Sequence, residues 1–363
     1  MKANVRVESS AETYSVSIGH SILKNEIEAF FDDSSVKECF VLVDENVEKL
    51  HGNRLKEIFD GAGIDFTSFV IPEGEKSKSI EQWSRTLDFL LQNGVRRNTP
   101  LISIGGGITG DLAGFVAASV LRGIPLLQVP TTVLAMVDSS VGGKTGINHQ
   151  TGKNLIGAFY QPQKVIADIE FLETLPRKEW INGLSEILKY GAISDSEILE
   201  KATLFFEEDV DQIDKNLLIQ LIKDCVSVKA NIVKKDEFEG GVRAFLNFGH
   251  TFAHALEKAA NFDEISHGEA VFLGMLAAID LSNSMGFSID SEPIRQFRSL
   301  YEFSINAETL DTDTLIQYMK SDKKIIDSEI RFILLENWQH PVIKTVNDQE
   351  LISKACLSII HEL

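Results

Sequence analysis

Short apolar runs alternate with amphipathic stretches through the first half of the chain. The runs are rich in β-branched residues, as buried parallel strands are, and they lie at Phe40–Val43, Leu101–Ile104, Leu126–Val129 and Val165–Ala167. Helical periodicity appears between some of them, at Ile80–Leu91 and Leu112–Leu121. This alternation predicts a Rossmann-like parallel sheet covered by helices, in an α/β N-terminal domain.

The pattern changes after about Leu175. Strand patterns become rare, apart from Glu329–Leu335, and helical periodicity dominates. The predicted helices are Asp195–Phe206, Leu217–Lys235 and Gly268–Ser284. We therefore expect two domains: an α/β domain over residues 1–175, and a mainly α-helical C-terminal domain over residues 176–363.

Charge and cysteine content narrow the class of protein. The 363 residues include 54 acidic and 35 basic ones, and the net charge of −19 argues against nucleic acid and anionic membranes as partners. The sequence has neither an apolar run long enough to cross a bilayer nor a signal-peptide pattern at its start. Three widely spaced cysteines form no disulfide framework, so we expect a cytoplasmic protein.

The segment LISIGGGITGDLAGF is predicted to form a strand and then a helix, with three glycines between them. Glycines let the backbone approach a ligand, and a helix N-terminus presents free N–H groups to a phosphate. The spacing matches neither GxGxxG nor the P-loop, and for the triplet alone a tight turn without a ligand is an equal alternative. Its position after a parallel strand favours a nucleotide.

A second glycine-rich segment reads QVPTTVLAMVDSSVGGKTGINHQTGKNLIGAF. It carries the hydroxyls of Thr131 and Thr132 and the charges of Lys144 and Lys153. This composition suits a phosphorylated ligand, although the segment alone slightly favours a solvated loop with surface lysines.

Three histidines, His250, His254 and His267, lie within 18 residues. His250 and His254 would share one face of a helix, and Thr251 excludes the HExxH protease motif. Such clustering favours a metal or catalytic site over ordinary helix-surface or core histidines. A zinc site would need a further ligand. The carboxylate candidates are Glu186, Asp236, Glu237, Glu239, Glu257 and Glu269.

Basic residues are scattered through the second half, among them Lys189, Lys229 and Arg243. Each of them, considered alone, is typical of an ordinary solvated charge. Together they would give an acidic protein a locally cationic site, and such a site predicts an anionic substrate.

The motifs also occur in one fixed order: IPEGEKSKS, GGGITGDLAGFVAASVLRG, QVPTTVLAMVDSSVGGKTGINHQTGKNLIGAFYQP, GLSEILKYG, KANIVKKDEFEGGVR, LNFGHTFAHALE and SHGEAV. This series closely resembles the 3-dehydroquinate synthases of the sugar phosphate cyclase family, strongly over residues 40–275. The chain has DEFE where the family often reads DERE, and Ala253 where glycine is frequent.

The resemblance implies a lyase of the shikimate pathway, which leads to chorismate and the aromatic amino acids. Its anionic sugar-phosphate substrate would be 3-deoxy-D-arabino-heptulosonate 7-phosphate. In the reaction that the resemblance implies, NAD would oxidise a ring alcohol transiently, phosphate would be eliminated and take the proton itself, and the ketone would be reduced again. The ring would then open, and an intramolecular aldol closure would give 3-dehydroquinate. There would be no net redox change.

The resemblance also assigns residues. A zinc or cobalt ion would be held by Glu186, His250 and His267. Residues at the substrate would be His254, Lys144, Asn247, Lys189, Lys229, Arg243, Asp138, Asn154 and Lys323, with Lys324 as the alternative to Lys323. Among these, His254, Asn247 and Lys144 would handle and orient protons at the reacting alcohol. Arg122 would reach the neighbouring subunit's site, which implies a homodimer.

The NAD contacts implied by the resemblance fall on several loops. They are Asp44, Asn46, Glu73, Gly74, Glu75, Lys76, Ser77, Lys78, Gly107, Ile108, Thr109, Gly110, Asp111, Thr131, Thr132, Lys144, Lys153, Phe171, Leu172, Glu173 and Thr174.

Three other functions compete with this one. A sister cyclase would act on a different sugar phosphate, but Arg243, Asn247 and His254 match the dehydroquinate-forming pattern. A metal-dependent polyol dehydrogenase would accumulate NADH, and the GGKTGIN segment argues against it. A nucleotide-binding protein without catalytic activity would have no reason to retain every candidate ligand.

Overall fold

The structure is a computed structural model, and it describes residues 1–10, 12–32, 36–206, 214–260, 264–305, 310–320 and 330–363. The chain folds into two compact units. Unit 1 comprises Met1–Glu179 and Ile213–Phe238, and unit 2 comprises Trp180–Gln212 and Glu239–Leu363. Each unit is therefore built from two separate segments of the chain.

Unit 1 is built around a sheet of seven strands. They are β1 Lys2–Glu8, β2 Thr13–Gly19, β3 Glu38–Asp44, β4 Asp65–Ile71, β5 Leu101–Gly105, β6 Leu126–Pro130 and β9 Lys164–Asp168. Their order in the sheet is β1-β2-β9-β6-β5-β3-β4. All neighbouring strands are parallel except β1 and β2. The predicted parallel sheet is confirmed, and all four predicted runs are strands in it.

Side chains on both faces of this sheet are buried. Val41 and Val43 pack in one hydrophobic cluster, while Phe40 and Leu42 pack in another, as the two-residue period of a strand requires. Helices cover the faces, which is why these strands read as continuous apolar runs. The helices of unit 1 are α1 Leu23–Asp32, α2 Glu45–Gly61, α3 Ile80–Gln92, α4 Gly107–Ser119 and α7 Lys215–Lys235.

Helix α4 differs from its prediction at both ends. It begins at Gly107, because the third glycine of the triplet is already helical, and it ends at Ser119. Leu121 and Arg122 follow with φ of 49° and 65°, in the left-handed region that residues other than glycine rarely occupy. An amphipathic pattern alone does not reveal such a reversal.

The second glycine-rich segment forms an antiparallel hairpin of β7 Lys144–His149 and β8 Gly152–Phe159. A Cβ atom on Gly157 would lie 2.1 Å from the carbonyl oxygen of Thr145. That glycine therefore permits a close approach of the two strands. These residues therefore form strands where the segment alone slightly favoured a solvated loop, although Lys144 lies on the surface as that interpretation expected.

Unit 2 is mainly helical, as predicted. Its helices are α5 Arg177–Ile193, which begins at the end of unit 1, α6 Ser196–Phe206, α8 His250–Ala259, α9 His267–Ser284, α10 Glu292–Arg295, α11 Thr312–Lys320 and α12 Gln349–Glu362. Helix α9 is buried on nearly every face, so it forms the centre of this unit. None of the helices in the described ranges has both the length and the apolarity that crossing a bilayer requires.

One hairpin accompanies these helices. Strands β10 Arg331–Asn337 and β11 His340–Thr345 pair antiparallel. The sequence predicts the first strand, shifted by two residues, with Glu329 outside the described residues. It misses β11, whose half-exposed side chains form no apolar run.

Candidate active site

Three helices of unit 2 meet closely because of glycines. A Cβ atom on Gly268 would lie 2.3 Å from the backbone oxygen of Asn182, so α9 touches the backbone of α5. A Cβ atom on Gly274 would lie 2.2 Å from the backbone oxygen of Gly249, which precedes α8. Side chains from α5, α8 and α9 can therefore converge on one point.

Glu186, His250 and His267 are the side chains that converge there. Nε2 of His250 lies 3.5 Å from Oε1 of Glu186, and Nε2 of His267 lies 3.4 Å from the same oxygen. One ligand atom from each residue lies within 4.8 Å of the others. Among the six carboxylates that the sequence left open, the described residues place Glu186 in this group.

The cluster fits a divalent metal ion. Ligand atoms about 2.0–2.1 Å from zinc at tetrahedral angles are about 3.3–3.4 Å apart, close to the two measured separations. The Glu186 side chain is 1% exposed. Across the described ranges, neither of its carboxylate oxygens has a hydrogen-bond partner of ordinary geometry. A bound cation would satisfy these oxygens, and two histidines with a carboxylate suit zinc or cobalt.

The other ring nitrogen of each histidine faces a protein oxygen. Nδ1 of His250 lies 3.2 Å from the carbonyl oxygen of Phe248. Nδ1 of His267 lies 3.5 Å from Oε1 of Glu257, a residue of α8. Both rings are thus oriented with Nε2 toward Glu186, as metal-binding histidines usually are.

Charge is distributed unevenly within the cluster. Burial raises the pKa of Glu186, but the charge of Lys189 and the contacts with both histidines outweigh it, so this pKa lies well below the usual range. Burial lowers the pKa of His250 to about 4. Burial also disfavours charge on His267, yet Glu186 and Glu257 raise its pKa to about 10. The site therefore keeps its carboxylate ionised and ready for a cation.

Other predicted residues of unit 2 surround the cluster. The ring centroid of His254 lies 5.7 Å from that of His250. Lys189, which is buried, forms an ion pair with Glu186. Arg243 is 1% exposed, and a cation so deeply buried is rare unless it is paired. These positions provide the positive charge that an anionic ligand requires.

Glu239 is a polar residue of this region that sequence reasoning named only as a possible metal ligand. Its Oε1 accepts a hydrogen bond of 2.6 Å from Nδ2 of Asn247, and its own φ is 62°. A strained backbone at a side chain that contacts a predicted site residue is typical of functional sites. Gly240 and Gly241, which follow Glu239 directly, are the feature of the sequence that could have indicated this unusual backbone conformation.

In unit 1, the residues assigned to NAD follow the carboxyl ends of parallel strands. Asp44 ends β3, Glu73–Lys78 follow β4, Gly107–Asp111 follow β5, Thr131 and Thr132 follow β6, and Phe171–Thr174 follow β9. Ligands of open α/β sheets bind at this edge. The sheet thus brings five separate stretches of sequence to one edge.

Several of these residues contact one another. Nδ2 of Asn46 donates a hydrogen bond of 2.7 Å to Glu73. Lys78 forms an ion pair with Asp111, and burial raises the pKa of Asp111 although Lys78 opposes that rise. Asn148, which sequence reasoning missed, donates through its backbone to the carbonyl oxygen of Lys78 over 2.8 Å.

The remaining predicted positions of unit 1 differ in how deeply they are buried. The side chains of Phe171 and Leu172 are buried in the core, while Glu173 and Thr174 are exposed. Exposed positions also include Arg122, Lys144 and Asn154, and the φ of Asn154 is 54°. Lys153 is half-buried. Lys323 and Lys324 lie outside the described residues.

Asp138 and Lys229 form an ion pair within unit 1. Asp138 belongs to a single π-helical turn, Ala135–Ser139, and Lys229 also donates a hydrogen bond of 2.9 Å to its backbone oxygen. Such turns are rare and frequently occur at functional sites. Two predicted substrate residues are thereby held together by α7.

Comparison with solved structures indicates the class of protein first, because the neighbours with the same fold include sugar phosphate cyclases. A 2-epi-5-epi-valiolone synthase from Streptomyces hygroscopicus subsp. jinggangensis 5008, solved with NAD+ and Zn2+ bound, has a TM-score of 0.88 to this chain and 26% sequence identity. The similarity covers 98% of this chain and 99% of that one.

Sequence comparison identifies the family within that class. The models for the 3-dehydroquinate synthase N-terminal and C-terminal regions match residues 68–182 and 183–325. The chain is 42% identical to a 3-dehydroquinate synthase of Nitrosospira multiformis over 89% of its length and 88% of that protein. It is 44% identical to one of Salinibacter ruber over 82% of each chain. The chain belongs to the 3-dehydroquinate synthase family.

Proposed function

We propose that the chain converts 3-deoxy-D-arabino-heptulosonate 7-phosphate to 3-dehydroquinate and phosphate, as a lyase of the shikimate pathway. The observation that carries this proposal is the cluster of Glu186, His250 and His267 in a chain of this family. When bound, NAD would supply reversible hydride transfer, and zinc or cobalt would act as a Lewis acid on the alcohol oxygen.

The side chains of the protein would bind and orient the substrate. Lys189, Lys229 and Arg243 suit its carboxylate and phosphate, because buried cations form strong hydrogen bonds with such anions. Asn247 and His254 would hold the reacting hydroxyl and its proton. The eliminated phosphate would take the proton of that step, so no side chain is assigned as its base.

NAD would bind at the edge of the sheet in unit 1. The assignment of the residues named for it is supported by their positions after β3, β4, β5, β6 and β9. The functional division into an NAD-binding part, residues 1–175, and a metal- and substrate-binding part, residues 176–363, is a proposal too. Affinity for NAD in variants of Asp111 and of Glu173 would test the assignment.

The decisive experiment measures phosphate release and NADH absorbance together. Protein loaded with zinc and NAD should release one phosphate and form one dehydroquinate per substrate without accumulating NADH. A chelator should abolish both products. Steady accumulation of NADH without phosphate would instead identify a dehydrogenase, and binding of NAD and metal without turnover would indicate a cyclase for another sugar phosphate.

A pair of variants connects this activity to the cluster. Glu186→Gln should reduce turnover by about 10²-fold or more, because the ion loses the one carboxylate among the three candidate ligands in the described residues. Glu197→Gln removes the same charge from a side chain that is 70% exposed on α6, and it should leave turnover unchanged. Equal activity of both variants would contradict the proposal.

We also propose a homodimer in which Arg122 serves the partner's site. Its support is the left-handed backbone at Leu121 and Arg122, a strained turn that presents an exposed arginine. Arg122→Ala and Glu186→Gln should each be inactive alone. Mixed and re-associated subunits should regain roughly a quarter of wild-type activity, since half of the dimers would contain one intact site. No recovery would contradict the shared site.

A cytoplasmic location is proposed on the basis of the cysteines. Cys39, Cys225 and Cys356 are all buried. Burial raises the pKa of the Cys39 and Cys356 thiols to about 12, so both resist oxidation. Fractionation of the source cells should find the protein with cytoplasmic enzymes, and recovery with exported proteins would refute this location.

A further inference from the structure

We propose that Glu257 is a positioning residue that holds the His267 ring in the tautomer required for metal binding. This inference rests on the proposed function, because it presumes the metal ion at Glu186, His250 and His267. Its observation is the 3.5 Å separation between Oε1 of Glu257 and Nδ1 of His267. A proton on Nδ1 would be donated to this carboxylate, which leaves the Nε2 lone pair for the ion.

The position of Glu257 on α8 explains how it reaches His267. Glu257 lies seven residues after His250 and three after His254, so all three share one face of the helix. Helix α8 therefore supplies one metal ligand itself and supports the ligand that begins α9. Glu257 is only 3% exposed, and a carboxylate so deeply buried requires a polar partner.

Glu257 cannot serve as a metal ligand in this arrangement. The two nitrogens of an imidazole point away from each other, and Glu257 lies against Nδ1 whereas Glu186 lies 3.4 Å from Nε2. A metal bound to Nε2 is therefore on the far side of the ring from Glu257. Of the carboxylates that the sequence offered as ligands, this one acts through the histidine.

The two histidines consequently differ in ligand strength. His250 faces the neutral carbonyl oxygen of Phe248, whereas His267 faces the carboxylate of Glu257. A ring that donates to a carboxylate is the more basic ligand, and it is more firmly oriented. Metal affinity should therefore depend on Glu257 although it does not touch the ion.

The test measures metal affinity without turnover. Zinc affinity of the apoprotein is determined by competition with a chromophoric chelator, and the visible spectrum of the cobalt form reports ligand geometry. Glu257→Gln should weaken zinc binding by about 10–100-fold and alter the cobalt spectrum. The control Glu264→Gln removes the same charge at an exposed position of the segment that precedes α9, and it should match wild type within about twofold.

A double-mutant cycle keeps the result decisive if Glu257→Gln also lowers stability. In a His267→Ala background, Glu257→Gln should cost no further zinc affinity, because its effect passes through that ring. An additive loss in the double variant would overturn the inference. The inference would also be overturned if Glu257→Gln alone had the zinc affinity and the cobalt spectrum of wild type. Wild-type protein that binds zinc without turnover would refute the proposed reaction, and the affinity comparison would still decide the role of Glu257.

Discussion

At the scale of single residues, Asp168 shows how one buried carboxylate can hold the segment that begins α1. It is 0% exposed, and it accepts hydrogen bonds from the backbone nitrogens of Ser21, at 2.8 Å, and Leu23, at 3.0 Å. Asp168→Ala would leave these donors unsatisfied and should cost about 3 kcal/mol of unfolding free energy, measured by urea denaturation. Asp88→Ala, at an exposed position of α3, should change it by less than about 0.5 kcal/mol. Equal losses would show that Asp168 has no special role.

Glu26 makes stability depend on pH. Burial raises its pKa, but contacts with Lys164, Lys2 and Ser17 outweigh this, and the pKa lies below 4.5. A lowered pKa stabilises the folded state above the unfolded value, and this stabilisation is lost as the pH falls through the folded value. Glu26→Gln should therefore cost about 2 kcal/mol at pH 7 and progressively less below about pH 4.5. Melting curves from pH 7 to pH 3 measure the difference, and a constant gap would contradict the assignment.

At the scale of elements, the approach of α5 and α9 depends on Gly268. Gly268→Ala would place a methyl group 2.3 Å from the backbone oxygen of Asn182, so α9 would have to move, and His267 with it. We expect a loss of about 1–3 kcal/mol in stability together with weaker zinc binding. Gly61→Ala, whose Cβ would meet nothing closer than 3.8 Å, is the matched control and should be neutral. Unaltered zinc affinity in Gly268→Ala would show that the site tolerates helix displacement.

The same scale shows what the sequence could and could not predict. Strands β3, β5, β6 and β9 were predictable, because a strand buried on both faces is apolar at every position. The hairpin of β7 and β8 was not, because its glycines permit backbone contact instead of marking a loop. Histidine spacing identified a metal or catalytic site, but six carboxylates were equally available, since α5 is distant in sequence. Resemblance selected Glu186, and helix packing accounts for its position.

At the scale of the whole molecule, all three candidate metal ligands belong to unit 2. A ligand that binds only the folded state stabilises it by about 4 kcal/mol at 1,000 times its dissociation constant. Zinc should therefore slow hydrogen exchange chiefly in residues 180–206, 250–260 and 264–284, whereas NAD should slow it in residues 101–132. Mass spectrometry of exchanged peptides would test this. Equal protection of both units by zinc alone would contradict the assignment of ligands to units.

The placement of α7 has a consequence for biosynthesis. Lys215–Lys235 belongs to unit 1, although residues of unit 2 precede it in the chain. During translation, the strands of the first sheet are synthesised before α7, and the segment Trp180–Gln212 of unit 2 is synthesised between them. Unit 1 therefore cannot be completed until part of unit 2 has been synthesised, and each unit is encoded by two separate stretches of the gene.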